Sequence, residues 1–155
     1  MKLNIGHTAP AFCAKNQKGK PISLDHFKGE KLVLYFYPKD DTPGCTAEAC
    51  SLRDHYATMI AKGYAIVGVS PDTEAKHQKF IAKYNLSFDL LADTDNSIAL
   101  AYGVWVEKSM YGRTYMGIAR TTFIIDENGL LLEIFTKVDT KNHALQILGL
   151  PLQHG

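Results

Sequence analysis

The sequence predicts an α/β fold in which helices flank a mixed central sheet. Two strand-like runs, residues 31–37 and residues 64–70, are apolar on both faces, as expected of central strands that are covered on both sides. Helical segments alternate with these strands and an antiparallel hairpin follows, which favours a mixed sheet. The 155 residues contain no repeat and no linker, so residues 1–155 are expected to form one domain.

Each element is predicted from its hydrophobic period and from the Gly, Pro and Asn residues at its ends. In the first half we expect a hairpin over 11–24 with its turn at 16–19, a β-branched and aromatic strand over 31–37, a helix over 43–62 that Gly63 ends, and an apolar strand over 64–70. In the second half we expect a helix over 73–85, a short strand over 88–93, a helix over 97–102, a hairpin over 121–136 with its turn at 127–129, and a helix over 142–150. This order fits a thioredoxin-like sandwich, although periodicity alone does not separate that fold from other α/β folds.

Composition and charge exclude several classes of function. Seventeen basic and sixteen acidic residues give a net charge of +1 without a basic stripe, so we expect no binding to nucleic acid or to membranes. The longest apolar stretch, residues 32–37, is far shorter than the roughly 20 residues of a membrane-spanning helix. The N-terminal residues lack the apolar segment of a signal peptide, so a cytoplasmic location is expected. Three cysteines are too few for a secreted disulfide framework.

The segment TPGC, residues 42–45, places a cysteine in the first turn of the predicted helix. Thr42 is a favourable N-cap residue and Pro43 a favoured first helical residue. The amides of that turn have no acceptor inside the helix and carry the positive end of its dipole. A thiolate at Cys45 is therefore stabilised relative to the thiol, and Gly44 leaves the backbone open to a small substrate.

Several motifs together resemble the peroxiredoxin family. The stretch YPKDDTPGCT resembles the family's active-site segment, and the second cysteine of CTAEAC is similar to that of the bacterioferritin-comigratory, or Q-type, subgroup. GHTAPAF, YGVWVEKSMYGRTYMGI and ARTTFIIDENG resemble further segments of that subgroup, in the expected order. The resemblance implies a thioredoxin-like fold and a thioredoxin-dependent peroxidase without a cofactor, acting on hydrogen peroxide and alkyl hydroperoxides.

The resemblance also implies roles for individual residues. Cys45 is then the thiolate that attacks the peroxide and becomes a sulfenic acid. Thr42 directs its hydroxyl at the thiolate and the peroxide, the amides of Gly44 and Cys45 stabilise charge on oxygen, and Pro38 forms a wall of the pocket. Arg120 holds the thiolate and polarises a peroxide oxygen, since its guanidinium is always charged and offers several donors.

Cys50 lies five residues after Cys45 in the same predicted helix. In an ideal helix five residues rise about 7.5 Å, which places the two Cα atoms roughly 8–9 Å apart. A disulfide generally needs less than about 7 Å, so the two sulfurs cannot bond while the helix is intact. If Cys50 resolves the sulfenic acid, as the resemblance implies, the helix unwinds locally and thioredoxin or a similar dithiol reduces the disulfide.

Other residues have more ordinary interpretations. We expect Cys13 to be a buried small side chain and the cysteine spacing to hold no zinc. Glu48 is equally compatible with orienting Arg120 and with a solvent-facing position. Residues 108–117 form either a flexible loop beside the pocket or an edge connection.

Two alternative functions and the oligomeric state also belong to the interpretation. A thiol–disulfide exchange protein is disfavoured because the sequence lacks a Cys-x-x-Cys pair. A non-enzymatic redox sensor that uses the same disulfide as a switch is the other alternative. No cysteine occurs after Cys50, so we expect a monomer rather than a disulfide-linked dimer.

Overall fold

The computed structural model describes residues 2–151, and its regular elements form one five-stranded sheet, two hairpins, five α-helices and a short 3₁₀-helix, Leu24–Phe27. The strands are β1 Cys13–Lys15, β2 Pro21–Ser23, β3 Lys31–Phe36, β4 Tyr64–Ser70, β5 Asp89–Ala92, β6 Trp105–Met110, β7 Arg113–Ile118, β8 Thr121–Ile125 and β9 Leu131–Phe135. The helices are α1 Pro43–Asp54, α2 Tyr56–Ala61, α3 Glu74–Tyr84, α4 Ser97–Ala101 and α5 His143–Leu148. No helix of this part of the chain is long and apolar enough to cross a membrane.

The central sheet is mixed, as the sequence predicts. Its strand order is β5-β4-β3-β8-β9. The strands β3, β4 and β5 are parallel, whereas β8 runs antiparallel to β3 and β9 antiparallel to β8. The N-terminal hairpin pairs β1 with β2. The predicted α/β class and N-terminal hairpin are therefore confirmed.

Strand β3 separates two hydrophobic layers because successive side chains alternate between the faces of a sheet. Leu32, Leu34 and Phe36 pack on one face with residues of β8 and α4. Val33, Tyr35 and Tyr37 pack on the other face with Cys45 and with residues of α1 and α3. The Cys45 side chain therefore belongs to the hydrophobic core and does not lie on a surface loop.

The predicted helix over residues 43–62 is divided into two helices at His55. His55 adopts φ −110° and ψ 15°, which interrupts the regular turn. Its amide still donates to the carbonyl of Ser51 at 3.3 Å, so the backbone remains hydrogen-bonded through the break. The sequence has no glycine or proline there to indicate the division.

Residues 105–118 form the hairpin β6–β7, whereas a flexible loop or an edge connection is expected from the sequence for residues 108–117. Met110 pairs with Arg113, and the two turn residues Tyr111 and Gly112 both have positive φ, 52° and 78°. Two such residues are what a two-residue hairpin turn requires. A tyrosine at the first turn position hides this signal, since glycine, asparagine or aspartate usually occupies it.

Candidate active site

Cys45 is the third residue of α1, where the sequence predicts it. Thr42 is the N-cap residue with extended φ and ψ, and Pro43 is the first residue of the helix. The first helical hydrogen bond runs from the amide of Thr46 to the carbonyl of Thr42 at 2.8 Å. Within residues 2–151 the amides of Gly44 and Cys45 donate to no protein acceptor, so they remain available to a substrate oxygen.

Arg120 reaches the Cys45 sulfur from the start of β8. Its Nη2 lies 3.3 Å from Sγ of Cys45, and its Nη1 donates to Oε1 of Glu48 at 2.6 Å. Burial acts to lower the pKa of Arg120, but the negative charges of Glu48 and Cys45 raise it overall. One permanently charged guanidinium is therefore fixed against the sulfur of Cys45, a residue that is 2% exposed.

Gly44 leaves room for the guanidinium. A Cβ atom built on Gly44 would lie 3.2 Å from Nη2 of Arg120 and 3.9 Å from Cγ2 of Thr140. From the sequence alone, the missing side chain is expected to serve substrate access. The structure places Arg120 in that space, so one reason for a glycine here is the close approach of the arginine.

The expected partners Thr42 and Pro38 do not contact the sulfur through hydrogen bonds. The Thr42 hydroxyl donates to the carbonyl of Lys39 at 2.8 Å, and no hydrogen bond joins it to Cys45 in the part of the chain that is described. Pro38 is half-buried and lies two residues after the end of β3. The roles of both residues towards a bound peroxide stay predictions, and that of Thr42 requires its hydroxyl hydrogen to turn away from Lys39.

Glu48 is buried and orients Arg120. Its side chain is 0% exposed, and burial raises its pKa to about 7 although Arg120 acts to lower it. Of the two interpretations left open by the sequence, the solvent-facing one is wrong. The spacing of three residues from Cys45 was the signal, because positions three apart share one face of a helix.

A second layer of residues behind Glu48 could not be recognised from the sequence. His143 of α5 is fully buried, with Nε2 2.7 Å from Oγ1 of Thr122 and 3.6 Å from Oε2 of Glu48. The amide of Ala144 donates to Oγ of Ser51 at 3.1 Å and fastens α5 to α1. His143 and Ala144 are almost one hundred positions from Cys45 in the chain, and no local motif connects them with it.

A buried polar network holds the loop that leads to Cys45. Oδ1 of Asp40 accepts the Tyr37 hydroxyl at 2.6 Å, and Oδ2 of Asp40 lies 2.6 Å from Nδ1 of His77. The amide of Asp40 and the hydroxyl of Ser70 both donate to Oδ2 of Asp72, at 2.8 and 2.7 Å. The network ties the loop to β3, β4 and α3.

Asp40, Asp72 and His77 also form the one group within residues 2–151 whose potential metal ligands lie within 4.8 Å of one another. Their ligand atoms already hydrogen-bond to the protein, Oδ2 of Asp72 to two donors and Nδ1 of His77 to Asp40. We therefore interpret these three residues as a hydrogen-bonded cluster that stabilises the loop before α1.

Asp41 provides a second, exposed attachment of the same loop. Its carboxylate accepts hydrogen bonds from Nζ of Lys83 and from the hydroxyl of Tyr84, both at 2.8 Å. These two hydrogen bonds lower the pKa of Asp41, that from Lys83 most. Asp41 has φ 60°, a backbone conformation that residues other than glycine rarely adopt. The hydrogen bonds from Lys83 and Tyr84 therefore hold a strained turn in place.

The three cysteines are free thiols in three different environments. Cys45 is buried, Cys50 is partly buried on α1 and Cys13 is exposed on β1. The expectation that Cys13 is buried is wrong, because its side chain falls on the outer face of the N-terminal hairpin. Cys45 and Cys50 lie on one unbroken helix, as their spacing requires of a reduced pair.

The hairpin β6–β7 borders the site and a cavity beside it. The pKa of Lys108 is lowered by partial burial and by the charge of Arg120, and Cys45 acts in the opposite direction, so its amine lies near both. A cavity of about 750 Å³ begins at Arg120 and Lys108. Its apolar lining includes Leu3, Val104, Phe123 and Ile134.

A cysteine at a helix start, buried against an arginine at the edge of a mixed sheet, is the arrangement of a thioredoxin-fold thiol peroxidase. The chain belongs to the AhpC/TSA family, which matches residues 5–134. It is 45% identical to peroxiredoxin Bcp of Bacillus subtilis over 148 residues, 96% of this chain and 94% of that protein. It is 40% identical to peroxiredoxin Bcp of Escherichia coli over 152 residues, 98% of this chain and 97% of that protein.

Solved structures agree with this assignment. A PrxQ of Xylella fastidiosa superimposes with a TM-score of 0.90 at 31% identity, over 96% of this chain and 95% of that chain. The bacterioferritin comigratory protein of Xanthomonas campestris superimposes with a TM-score of 0.84 at 35% identity, over 89% of this chain and 88% of that chain. That protein has alkyl peroxide reduction activity. The predicted thioredoxin-like fold, the resemblance to the Q-type subgroup and the assignment as a peroxidase enzyme are confirmed.

Proposed function

We propose that the protein reduces hydrogen peroxide and organic hydroperoxides through Cys45. The observation that carries the proposal is the 3.3 Å contact between Nη2 of Arg120 and Sγ of Cys45, at a helix start whose amides are unpaired. A thiolate gains from the guanidinium and from the dipole at once. The amides of Gly44 and Cys45 are further hydrogen-bond donors for an incoming peroxide.

The first step is an attack of the Cys45 thiolate along the O–O axis of the peroxide. The S–O bond forms and the O–O bond breaks, which oxidises the sulfur to a sulfenic acid and releases water or an alcohol after uptake of one proton. Arg120 bridges the thiolate and the peroxide, so it stabilises charge as it moves from sulfur to oxygen. The amides of Gly44 and Cys45 and the Thr42 hydroxyl complete the oxygen site, which Pro38 borders.

The second step joins Cys45 to Cys50. The Cys50 thiol attacks the sulfenic sulfur, an S–S bond forms and water leaves, so the pair has lost two electrons to the peroxide. Helix α1 must first unwind between the two cysteines, for the geometric reason given by their spacing. A dithiol of the thioredoxin type then reduces the exposed disulfide by exchange.

The cavity beside Arg120 supports organic hydroperoxides as substrates. Its lining includes Arg120 but not Cys45, so we expect the alkyl group of a hydroperoxide to enter the apolar part of the cavity past the guanidinium that binds the peroxide end. The alkyl peroxide reduction activity of the Xanthomonas campestris relative is in keeping with this choice.

A coupled assay with NADPH, thioredoxin reductase and thioredoxin tests the proposal. We expect NADPH oxidation that depends on peroxide, is lost in Cys45→Ser and persists in Cys13→Ser. Reduction of insulin disulfides without peroxide would instead identify a thiol–disulfide exchange protein, and turnover of neither substrate would identify a redox sensor. Non-reducing peptide mapping after one equivalent of peroxide should show a Cys45–Cys50 disulfide, and a pair that includes Cys13 would contradict the second step.

A further inference from the structure

His143 is a buried residue to which the proposed chemistry assigns no role. It is the first residue of α5 and is fully buried. Its Nε2 atom lies 2.7 Å from the Thr122 hydroxyl oxygen and 3.6 Å from Oε2 of Glu48. Its Nδ1 atom lies 2.9 Å from Oε1 of Gln146. The imidazole therefore stands between α5 and the carboxylate that holds Arg120.

The hydrogen bonds of Gln146 fix where His143 carries its proton. The amide nitrogen of Gln146 donates to the Lys137 carbonyl at 2.8 Å, and its Oε1 accepts the Asp139 amide at 3.1 Å. The atom that faces Nδ1 is thus an acceptor, so Nδ1 is the donor. Burial lowers the pKa of His143 to about 4, which keeps the ring neutral near pH 7. Nε2 therefore carries a lone pair, which accepts a hydrogen bond from the Thr122 hydroxyl.

This placement leaves Oε2 of Glu48 without a donor. Oε1 accepts Arg120 at 2.6 Å, whereas Oε2 is buried and has no hydrogen-bond partner within residues 2–151. Nε2 is the His143 atom nearest to Oε2, and because it carries a lone pair and no proton it offers an ionised carboxylate no donor. This geometry agrees with the pKa of about 7 that burial gives Glu48.

The other charged and titratable groups around Glu48 come from three elements. Arg120 precedes β8 and is the one cation in hydrogen-bond contact with the carboxylate in the described chain. Cys45 lies one turn earlier on α1. Tyr35 of β3 is buried, and burial together with the charge of Glu48 raises the pKa of its hydroxyl, so it stays neutral. Among these groups, Glu48 is the one whose pKa is raised to about 7.

We propose that His143 is a positioning residue that presents a lone pair and no donor to Oε2 of Glu48 and so favours the protonated carboxyl group, and that the protonation state of Glu48 sets how much of the Arg120 charge acts on Cys45. When Oε2 of Glu48 is protonated, the Cys45 thiolate is the one anion in contact with Arg120. When Glu48 is ionised, the guanidinium divides its charge between carboxylate and thiolate. The O–H bond of the Glu48 carboxyl group is the bond that forms and breaks, and water supplies and takes up the proton. The inference rests on the proposed function in taking Cys45 as the nucleophile.

Carbon-13 NMR of the Glu48 carboxyl group in reduced protein tests the inference. In the wild type we expect a titration midpoint at about pH 7. In His143→Gln an amide N–H can donate to Oε2, so the midpoint should fall by about one unit or more. The control Ser51→Ala removes the 3.1 Å hydrogen bond that joins α5 to α1 and should leave the midpoint unchanged. A wild-type midpoint below about pH 5, or equal midpoints in wild type and His143→Gln, would overturn the inference.

Two measurements keep the test independent of how well His143→Gln folds. Nitrogen-15 shifts of His143 in the wild type should show a proton on Nδ1 and a lone pair on Nε2, and a proton on Nε2 would refute the mechanism directly. With Cys13 and Cys50 both replaced by serine, the pH profile of Cys45 alkylation by iodoacetamide should follow two ionisations, that of the thiol itself and that of Glu48, and Glu48→Gln should remove the second. A profile that follows two ionisations in Glu48→Gln as well contradicts the link to Cys45. Neither measurement uses peroxide, so loss of peroxidase turnover would sink the proposed function alone.

Discussion

The contact between Gly44 and Arg120 shows how a single missing side chain fixes the geometry of the nucleophile. A Cβ atom on residue 44 would lie 3.2 Å from Nη2, tighter than ordinary van der Waals contact. The same Nη2 atom is 3.3 Å from the sulfur. Any group that pushes the guanidinium aside therefore separates it from the thiolate.

Gly44→Ala is expected to reduce activity without reducing stability. Displacement of the guanidinium should lower the second-order rate constant for hydrogen peroxide by about ten- to hundredfold. The free energy of unfolding should stay level or rise, because alanine is the better helix former and residue 44 lies in α1 with no positive φ. Stopped-flow peroxide kinetics and urea denaturation measure the two quantities.

A double-mutant cycle supplies the control. In an Arg120→Lys background there is no guanidinium to displace, so adding Gly44→Ala should lower the rate constant much less than it does in the wild type. Equal losses in both backgrounds would show that the glycine acts through the substrate, as the sequence alone suggested.

At the scale of elements, helix α3 supports the loop that leads to Cys45. The buried Asp40–His77 pair and the exposed bonds of Asp41 to Lys83 and Tyr84 both end on α3. Asp41 keeps φ 60° under these restraints. The loop therefore behaves as part of the scaffold, and the unwinding that a disulfide requires falls on α1 instead.

Lys83→Met should loosen the loop while leaving the fold intact. Removing the 2.8 Å bond to Asp41 lets the strained turn relax, so we expect faster amide exchange at residues 41–46 and faster formation of the Cys45–Cys50 disulfide. Lys79→Met, an exposed change on the same helix, is the matched control and should alter neither rate. Hydrogen-exchange mass spectrometry and quenched-flow thiol trapping provide the readouts. Unchanged exchange in Lys83→Met would mean that the buried network alone holds the loop.

Oxidation should unfold the first turns of α1 in a restricted way. After one equivalent of peroxide we expect faster amide exchange at residues 45–50 and a small loss of helical circular dichroism, because the disulfide cannot form across an intact helix. Cys50→Ser is the control, since its sulfenic acid needs no unwinding and should keep the exchange pattern of the reduced protein. Oxidised protein with full protection at residues 45–50 would contradict the resolving role of Cys50.

The sequence could predict elements wherever local residues determine them. The strands β3, β4 and β8 are continuous apolar runs, and α3 has Thr73 to accept the Lys76 amide and Asn85 in the left-handed conformation at its end. The division at His55 and the turn at Tyr111 lack such residues, so the helix was predicted too long and β6–β7 was missed. In both places packing decides a conformation that local propensity does not.

At the scale of the whole molecule, the site combines local and distant residues, and only the local part is visible in the sequence. Thr42, Pro43 and Cys45 form a helix start whose chemistry follows from spacing. Arg120 was identified through the family resemblance. His143, Thr122 and Ser51 were missed because tertiary packing alone brings α5 behind α1, and a lone buried histidine in a sequence does not reveal its neighbours.

Burial shifts the pKa values of Glu48 and His143 in opposite directions. The free energy of unfolding of the whole molecule should therefore depend only weakly on pH between about 4.5 and 6.5. Burial raises the pKa of Glu48 from 4.5 to about 7, so ionising it in the folded state costs free energy, and stability falls as pH rises through that window. Burial lowers the pKa of His143 from 6.5 to about 4, so the neutral ring is the favoured folded form, and stability rises as pH rises from about 4 to 6.5. Each effect amounts to about 3 kcal/mol when complete, and the two oppose each other over most of the same range.

Glu48→Gln removes one of the two effects and should expose the other. Its free energy of unfolding should rise by up to about 3 kcal/mol between pH 4 and 6.5, while that of the wild type stays nearly level, because only the His143 contribution then remains. Urea denaturation of both proteins at half-unit pH intervals measures the difference. At pH 8 the variant should be the more stable protein, since it buries no ionised carboxylate. Parallel pH profiles for the two proteins would mean that Glu48 is ionised throughout, with Arg120 stabilising its charge in full.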